Sequence, residues 1–250
     1  MTFITFVSAF LDLEEDRNNE NLKTTQTYFN NFEKLASSGI SICLFSSEKY
    51  MNNLKEICKF YSNIYLEPFS INLFDTWVSK RTKEVNDLLL PEIRSNYKDT
   101  YNYMIAMNSK IDFIELAIKL NPFNTTHFAW IDFGICHIIK SNVTLENLYN
   151  SSKNPLKEKI LAFPGCWEKD FNINFIYKKI CWRFCGGFFI GDKDSLLNFI
   201  NCYKKYYVDF LKEKKVLVWE VNFWAWLEYN GYFSPYVYNS LHDDKMLYFY

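Results

Sequence analysis

The sequence predicts an α/β fold, a mostly parallel central sheet flanked by helices, in a single domain spanning residues 1–250. Three observations predict it. Residues 3–66 read strand, helix, strand, helix, strand, the order that builds a parallel sheet with helices on its faces. The run His127-Phe128-Ala129-Trp130-Ile131-Asp132-Phe133-Gly134 opens as a continuous apolar strand, which is how strands covered on both faces read. With 250 residues, 49% of them hydrophobic and 20% aromatic, the chain is long enough for one large core and too apolar for disorder.

Residues 3–11 are rich in β-branched and aromatic side chains and read as the first inner strand, ending at Asp12 before an acidic, Asn-rich loop over residues 14–21. Leu22, Tyr28, Phe29, Phe32 and Leu35 then form a helical stripe that Gly39 ends. Residues 40–45 make a second strand, 50–60 a second helix and 64–66 a third strand before Pro68. No Gly-x-Gly-x-x-Gly turn follows the first strand and there is no Gly-Lys-Ser/Thr loop, so neither phosphate-binding fingerprint is present. Residues 69–97 read as helix in two pieces broken by Pro91, with Arg81, Lys83 and Arg94 exposed. The stretch 101–110 leads into a helix capped by Ser109, with Asp112 in its first turn and Ile111, Ile114, Ala117 and Ile118 as its buried stripe. Asn121-Pro122 ends that helix.

Asp132 closes the strand over residues 128–131. A carboxylate there is costly unless paired, hydrogen-bonded or bound to a cation, and ligand sites of open α/β sheets lie at the carboxyl ends of strands. Asp132 is therefore either the floor of a polar site or a turn aspartate followed by a turn glycine. Gly134 lacks a Cβ, so the backbone there can turn sharply or admit a ligand. Lys110 and Asp132 are joined by one helix and one strand. The helix start is expected away from the strand's carboxyl end unless the helix crosses obliquely, so spacing alone does not bring the two together.

Residues 135–139 extend or restart pairing, 141–155 read as a polar loop, and 160–163 and 173–177 as strands. Residues 181–191 carry three of the seven glycines, Gly186, Gly187 and Gly191. A glycine pair in a strand marks a bulge packed under an aromatic or a place where a ligand approaches the backbone. Asp192 caps an amphipathic helix with Leu196, Ile200, Tyr203, Tyr207 and Leu211 on one face. Residues 216–229 are apolar all round, as in a helix enclosed by its own protein, except at Glu220 and Asn222. A carboxyl group among tryptophans is a candidate acid, base or substrate anchor. The other reading of Glu220 is a helix-start glutamate bonding free amides. Residues 231–250 are aromatic and loop-like around His242-Asp243-Asp244.

Net charge is -1, from 28 basic and 29 acidic residues, so no global field draws the protein to nucleic acid or to an anionic membrane. The Lys204-Lys205 and 212–215 patches belong to the solvated face of a helix. Seven cysteines without regular spacing do not make a disulfide framework, and no basic segment precedes the first apolar run as in a signal peptide. No apolar run approaches the roughly 20 residues of a membrane span. A cytoplasmic, reducing compartment is the expectation, which leaves the sequons at Asn124, Asn142 and Asn150 without meaning. Three histidines are too few for a His-rich metal centre, Cys181 and Cys185 lack the second pair of a zinc site, and no Gly-x-Ser-x-Gly elbow occurs. What remains is a strand-end aspartate, a glycine pair, an embedded glutamate and a late histidine. Together they suggest a hard divalent cation with oxygen ligands beside a polar acceptor pocket.

Tyr101-Asn102, Asn108-Ser109-Lys110, Asn121-Pro122-Phe123 and Trp130-Ile131-Asp132-Phe133-Gly134 resemble the core of the HtrL/YibB-like family, and Val7-Ser8-Ala9-Phe10-Leu11-Asp12 its opening strand. The likeness covers most of the chain and loosens after Ser141. It implies a glycosyltransferase of the GT-A fold, with a smaller mixed β region on the acceptor side. It also implies a nucleotide-sugar donor, most often a UDP-sugar, a glycan or glycoprotein acceptor, and Mn2+ or Mg2+. By the resemblance Asp132 is the first carboxylate of the Asp-x-Asp metal motif and takes part in catalysis, and His242 is a further metal ligand. Ala9, Phe10, Asp12, Lys110 and Gly134 line the nucleotide sugar, while Gly186, Gly187 and Trp219 form the acceptor side. Glu220 is catalytic base or acceptor anchor. Gly134 departs from the pattern, standing where a second aspartate is usual, so the metal has fewer protein ligands. The alternative implied is a catalytically weak nucleotide- or glycan-binding module of the same fold.

Overall fold

Successive side chains of a strand point to opposite faces, so a strand apolar at every position must be covered on both sides. The inner strands of this chain are covered in that way. The computed structural model describes residues 2–15, 22–154, 156 and 158–249, which leaves residues 16–21 of the expected acidic loop and Pro155 outside the described residues. Its seven-stranded sheet comprises β1 (Ile4–Phe10), β2 (Ile42–Ser46), β3 (Ile64–Leu66), β4 (His127–Ile131), β5 (Leu161–Gly165), β6 (Phe188–Asp192) and β7 (Tyr236–Asn239). The spatial order is β3-β2-β1-β4-β6-β5-β7. The first four are parallel, β6 is antiparallel to β4 and β5, and β7 runs parallel to β5. The sheet is thus parallel in its first half and mixed in its second.

The helices are α1 (Thr25–Ser37), α2 (Glu48–Cys58), α3 (Trp77–Thr82), α4 (Tyr101–Asn108), α5 (Lys110–Leu120), α6 (Asn142–Ser152), α7 (Lys193–Lys214) and α8 (Glu220–Tyr229). Val7, Phe45, Phe128, Trp130, Phe163 and Phe189 face one core, built with α4, α5, α7 and α8. Ile4, Phe6, Leu44, Ala129, Ile131 and Phe188 face the other, which α1 closes through Phe29, Phe32 and Leu35.

Several segments differ from their sequence reading. The loop expected over residues 141–155 contains α6, whose buried positions are Thr144, Leu148 and Ser152; only one of the three is apolar, so no hydrophobic stripe announced the helix. Residues 173–177 form a 3-10 helix rather than a strand. Their neighbourhood takes its hydrogen bonds from one side chain, because Asn222 Nδ2 donates to the Ile176 and Lys179 carbonyls and its Oδ1 accepts from the Cys181 amide. The strand read over residues 181–191 begins only at Phe188, and turns occupy residues 182–187. Helix in residues 69–97 is confined to the short α3 and a 3-10 turn at Leu73–Asp75; beyond it Leu89 and Ile93 make isolated bridges to Val216 and Lys179. That bridge keeps Val216 extended, and α8 starts at Glu220. The closing segment holds β7 and a 3-10 turn at Asp244–Leu247.

One correction decides the site. A helix of 11 residues rises about 16 Å and a strand of five about the same. After the tight turn at Asn121, whose φ is 39°, α5 and β4 pack against each other antiparallel, so the start of α5 stands level with the carboxyl end of β4.

Candidate functional site

β1 has β2 on one side and β4 on the other, so the chain's progress across the sheet reverses between β1 and β4. Crevices of this kind, outside the carboxyl ends of the strands, are where open α/β sheets bind ligands. Ile4 pairs with His127 and Val7 with Trp130; the register continued two residues sets Ala9 beside Asp132.

Trp130 and Asp132 share a face by the two-residue period, and Trp130 Nε1 donates to Asp132 Oδ1 at 2.7 Å. Lys110 Nζ lies 3.1 Å from the same oxygen and 2.8 Å from Glu220 Oε1, and donates to the Gly186 carbonyl at 2.7 Å. The three ammonium protons thus match three acceptors. Burial alone would pull the Lys110 ammonium down, but the charges and hydrogen bonds of Asp132 and Glu220 outweigh it and hold it above its ordinary range. The side chains of Lys110 and Glu220 are 2% and 5% exposed, whereas that of Asp132 is 39% exposed. One carboxylate oxygen is therefore fixed from within by an ammonium and an indole, and Oδ2 faces the crevice.

Gly186 and Gly187 are what let the backbone come this close. A Cβ on Gly186 would stand 2.3 Å from Glu220 Oε1, and one on Gly187 would stand 3.6 Å from Asp132 Oδ2. The Gly187 carbonyl accepts the Asp132 amide at 3.0 Å, extending the ladder between β4 and β6 past its last pair. Glu220, read at sequence level as a group in need of a cation, finds it in Lys110, brought by a helix 110 residues earlier.

The remaining sequence candidates fall around this cluster or apart from it. Phe10 stacks on Phe133 with ring centroids 4.5 Å apart and belongs to the α1 side of the sheet, while Ala9 packs against the opposite core. Asp12 pairs with the exposed Lys49 at 3.0 Å. Gly134 has φ -94°, an ordinary value, and its missing Cβ makes room for the Tyr28 ring at 2.9 Å rather than for a ligand. Trp219 is buried, with Nε1 directed at Asp99 Oδ1. His242 packs edge-on against Trp182 at 4.3 Å between ring centroids. Burial lowers its pKa, as do the charges of His137 and Lys98, while Asp132 opposes the shift. Among the described residues no three His, Cys, Asp or Glu side chains gather as a metal cage.

Residues without a role in the sequence reading complete the picture. Burial first, then the charges of Glu220, Asp132 and Asp99, hold the Tyr103 hydroxyl well above its ordinary range, so it stays protonated beside both carboxylates. His137 Nδ1–H donates to the Gly134 carbonyl at 2.6 Å, and Lys98 lies over the Tyr103 ring at 5.5 Å. The signal for Trp130 was its i, i+2 relation to Asp132; Tyr103 and Lys98 are joined to the site only by the fold. An open cavity of about 810 Å³, lined among others by Lys159, Ser195, Asn198, Tyr232 and Tyr236, lies at the far end of the sheet, where β4 begins and β6 ends. No described helix is long and apolar enough to cross a membrane.

A family model described as "Bacterial protein of unknown function (HtrL_YibB)" matches residues 2–218. No curated protein matches the chain. Among solved structures, mouse xyloside xylosyltransferase 1 in its apo form is similar with a TM-score of 0.46 and 9% identity, over 94% of this chain and 84% of that one. The 4-diphosphocytidyl-2C-methyl-D-erythritol synthase of Anaerococcus prevotii is similar at 0.46 and 10%, over 99% and 96%. A glycosyltransferase involved in glycosylation of the major capsid of PBCV-1 is similar at 0.41 and 12%, over 94% and 81%.

Proposed function

The chain belongs to the HtrL/YibB family, and from that premise we propose that it is a glycosyltransferase of the GT-A type, moving a sugar from a nucleoside-diphosphate donor, a UDP-sugar, to a hydroxyl of a glycan or protein. The observation that carries the reading is the half-exposed Asp132, held through Oδ1 by Lys110 and Trp130 with Oδ2 open at the reversal between β1 and β4. A carboxylate so fixed keeps its orientation without reorganising when a ligand arrives.

In such a transfer the bond between the anomeric carbon and the diphosphate oxygen breaks, the acceptor oxygen bonds to that carbon, and the acceptor proton passes to a base. Asp132 Oδ2 is the open carboxylate oxygen of the cluster and is assigned to the donor. Lys110 commits all its protons to protein oxygens, so it acts on the ligand through Asp132, and Glu220, nearly inaccessible, acts by positioning Lys110. Lys98, His137 and His242 add cationic or proton-donating groups near the open edge, suited to an anionic diphosphate. A Mn2+ or Mg2+ ion would be held by Asp132 together with the donor's own phosphate oxygens, and supplies charge neutralisation to the leaving diphosphate. The described residues offer it too few ligands without the donor.

The test is UDP-sugar hydrolysis and transfer with and without Mn2+, comparing the wild type with Asp132→Asn. Turnover should fall roughly 100-fold with the fold intact, the scale of losing one fixed electrostatic group. Equal turnover in the two proteins would remove Asp132 from the mechanism. The burial of Glu220 and the saturation of Lys110 also favour a second reading, a nucleotide- or glycan-binding module without turnover. Calorimetry with UDP separates the two: binding without hydrolysis of any UDP-sugar supports the module, and no binding removes both.

A further inference from the structure

Cys166 directly follows β5 and Cys185 lies three residues before β6, at the open end of that antiparallel pair. Their sulfurs are 3.2 Å apart. The backbone fixes both positions, since the Cys166 amide donates to the Trp182 carbonyl at 3.1 Å and the Cys185 amide to the Pro164 carbonyl at 2.8 Å. Cys185 is buried, while Cys166 is half-buried and reachable from solvent. The next residues are Gly186 and Gly187, whose carbonyls hold Lys110 Nζ and the Asp132 amide.

We propose that Cys166 and Cys185 form an intramolecular disulfide when the protein meets a low-molecular-weight disulfide such as oxidised glutathione, and that the bond fastens the Gly186-Gly187 segment to the end of β5. The proposal stands whether or not the chain is a transferase. The Cys166 thiolate attacks one sulfur of the reagent, expelling one small thiol and leaving a mixed disulfide. Cys185 gives up its proton and attacks the Cys166 sulfur, expelling the second thiol. The two cysteines lose two protons and two electrons, and the reagent gains them. The sulfurs need to approach by only about 1 Å to reach bonding distance.

Burial raises both thiols above their ordinary range, and the nearby Asp243 adds to this. The first attack is consequently slow and needs a reagent delivered to Cys166. The half-buried Cys58 and Cys202 serve as internal controls, because among the described residues neither has a sulfur in hydrogen-bonding range.

The full-length reduced protein is incubated with oxidised glutathione, quenched with acid, denatured and digested with trypsin. The expected result is a cross-linked pair of peptides, 160–169 with 184–193, and a free-thiol number that falls from seven to five once surface glutathione adducts on Cys58 and Cys202 are excluded. Exchange of the Asp132 amide should slow in the oxidised protein. In Cys185→Ser the glutathione adduct on Cys166 should persist. A persistent Cys166 adduct in the wild type, or no reaction of Cys166 while Cys58 and Cys202 react, overturns the proposal. Both readouts come from the wild type, so they stand even if the variant fails to fold.

Discussion

Lys110 is the residue whose removal the cluster can least accommodate. Lys110→Ala leaves Glu220 buried without its cation, and breaking one side of such a pair costs about 3–5 kcal/mol. Urea denaturation should register that loss, and Lys110→Met combined with Glu220→Gln should recover a large part of it, because neither charge is then stranded. Gly186→Ala should be worse than Gly187→Ala. The first places a methyl 2.3 Å from a carboxylate oxygen that Lys110 pins, whereas the second meets the ends of the Ile135 and Met246 side chains at 3.1 Å. Equal stabilities for the two glycine variants would mean that the Glu220 carboxylate is not held where the structure has it. Asp132, Glu220 and the glycine pair were legible in the sequence because each violates its local pattern. The link through Lys110 was not, because a lysine at a helix start looks like any solvated lysine until its partners are known.

Elements fared according to how much of their pattern is apolar. β1, β2, β4 and α7 were readable because runs and stripes of Ile, Phe, Leu and Tyr have no other place to go. Asp192 caps α7 by accepting the Asp194 and Ser195 amides at 3.0 Å each, and Asp192→Ala should cost about 1–2 kcal/mol, measured as a lowered unfolding midpoint. α6 and the segment at residues 173–177 were misread because polar side chains supply their hydrogen bonds and their buried positions are only partly hydrophobic. Asp112, read as a first-turn acid of α5, reaches across and accepts the Val78 amide of α3. Burial pushes its carboxyl up to about 6, against the hydrogen bonds from the Val78 and Trp77 amides. Between about pH 4 and pH 6 the folded protein thus binds the proton more tightly than the unfolded chain, so this group's contribution to stability is present at low pH and is lost as pH rises through 6. Asp112→Asn should flatten that slope and gain stability at pH 7, with roughly 3 kcal/mol as the ceiling, reduced by its weaker bonds to the amides. Urea titrations at pH 4, 5 and 7 check it; an unchanged slope would show that Asp112 is not the group responsible.

Across the whole molecule, the two cores on either side of the sheet hold the ends of β1 and β4 rigid while leaving the edge between them open. A nucleoside diphosphate that binds there should raise the melting temperature, by the equivalent of about 2.7 kcal/mol at a hundredfold excess over its dissociation constant. Asp132→Asn should weaken that shift, and a wild-type melting temperature indifferent to UDP at millimolar concentration, with Mn2+ present, would remove the donor site from this edge. By itself the sequence determined the α/β class, the inner strands, the long α7, and the carboxylates and glycines that break their own patterns, because those properties are set by the period and polarity of neighbouring residues. Only the tertiary structure decided that Lys110, Asp132, Glu220 and Gly186 meet. Their meeting depends on α5 and β4 having equal rise and running antiparallel, and on α8 crossing behind them, and a burial that pairs charges about 110 residues apart leaves no trace in local spacing.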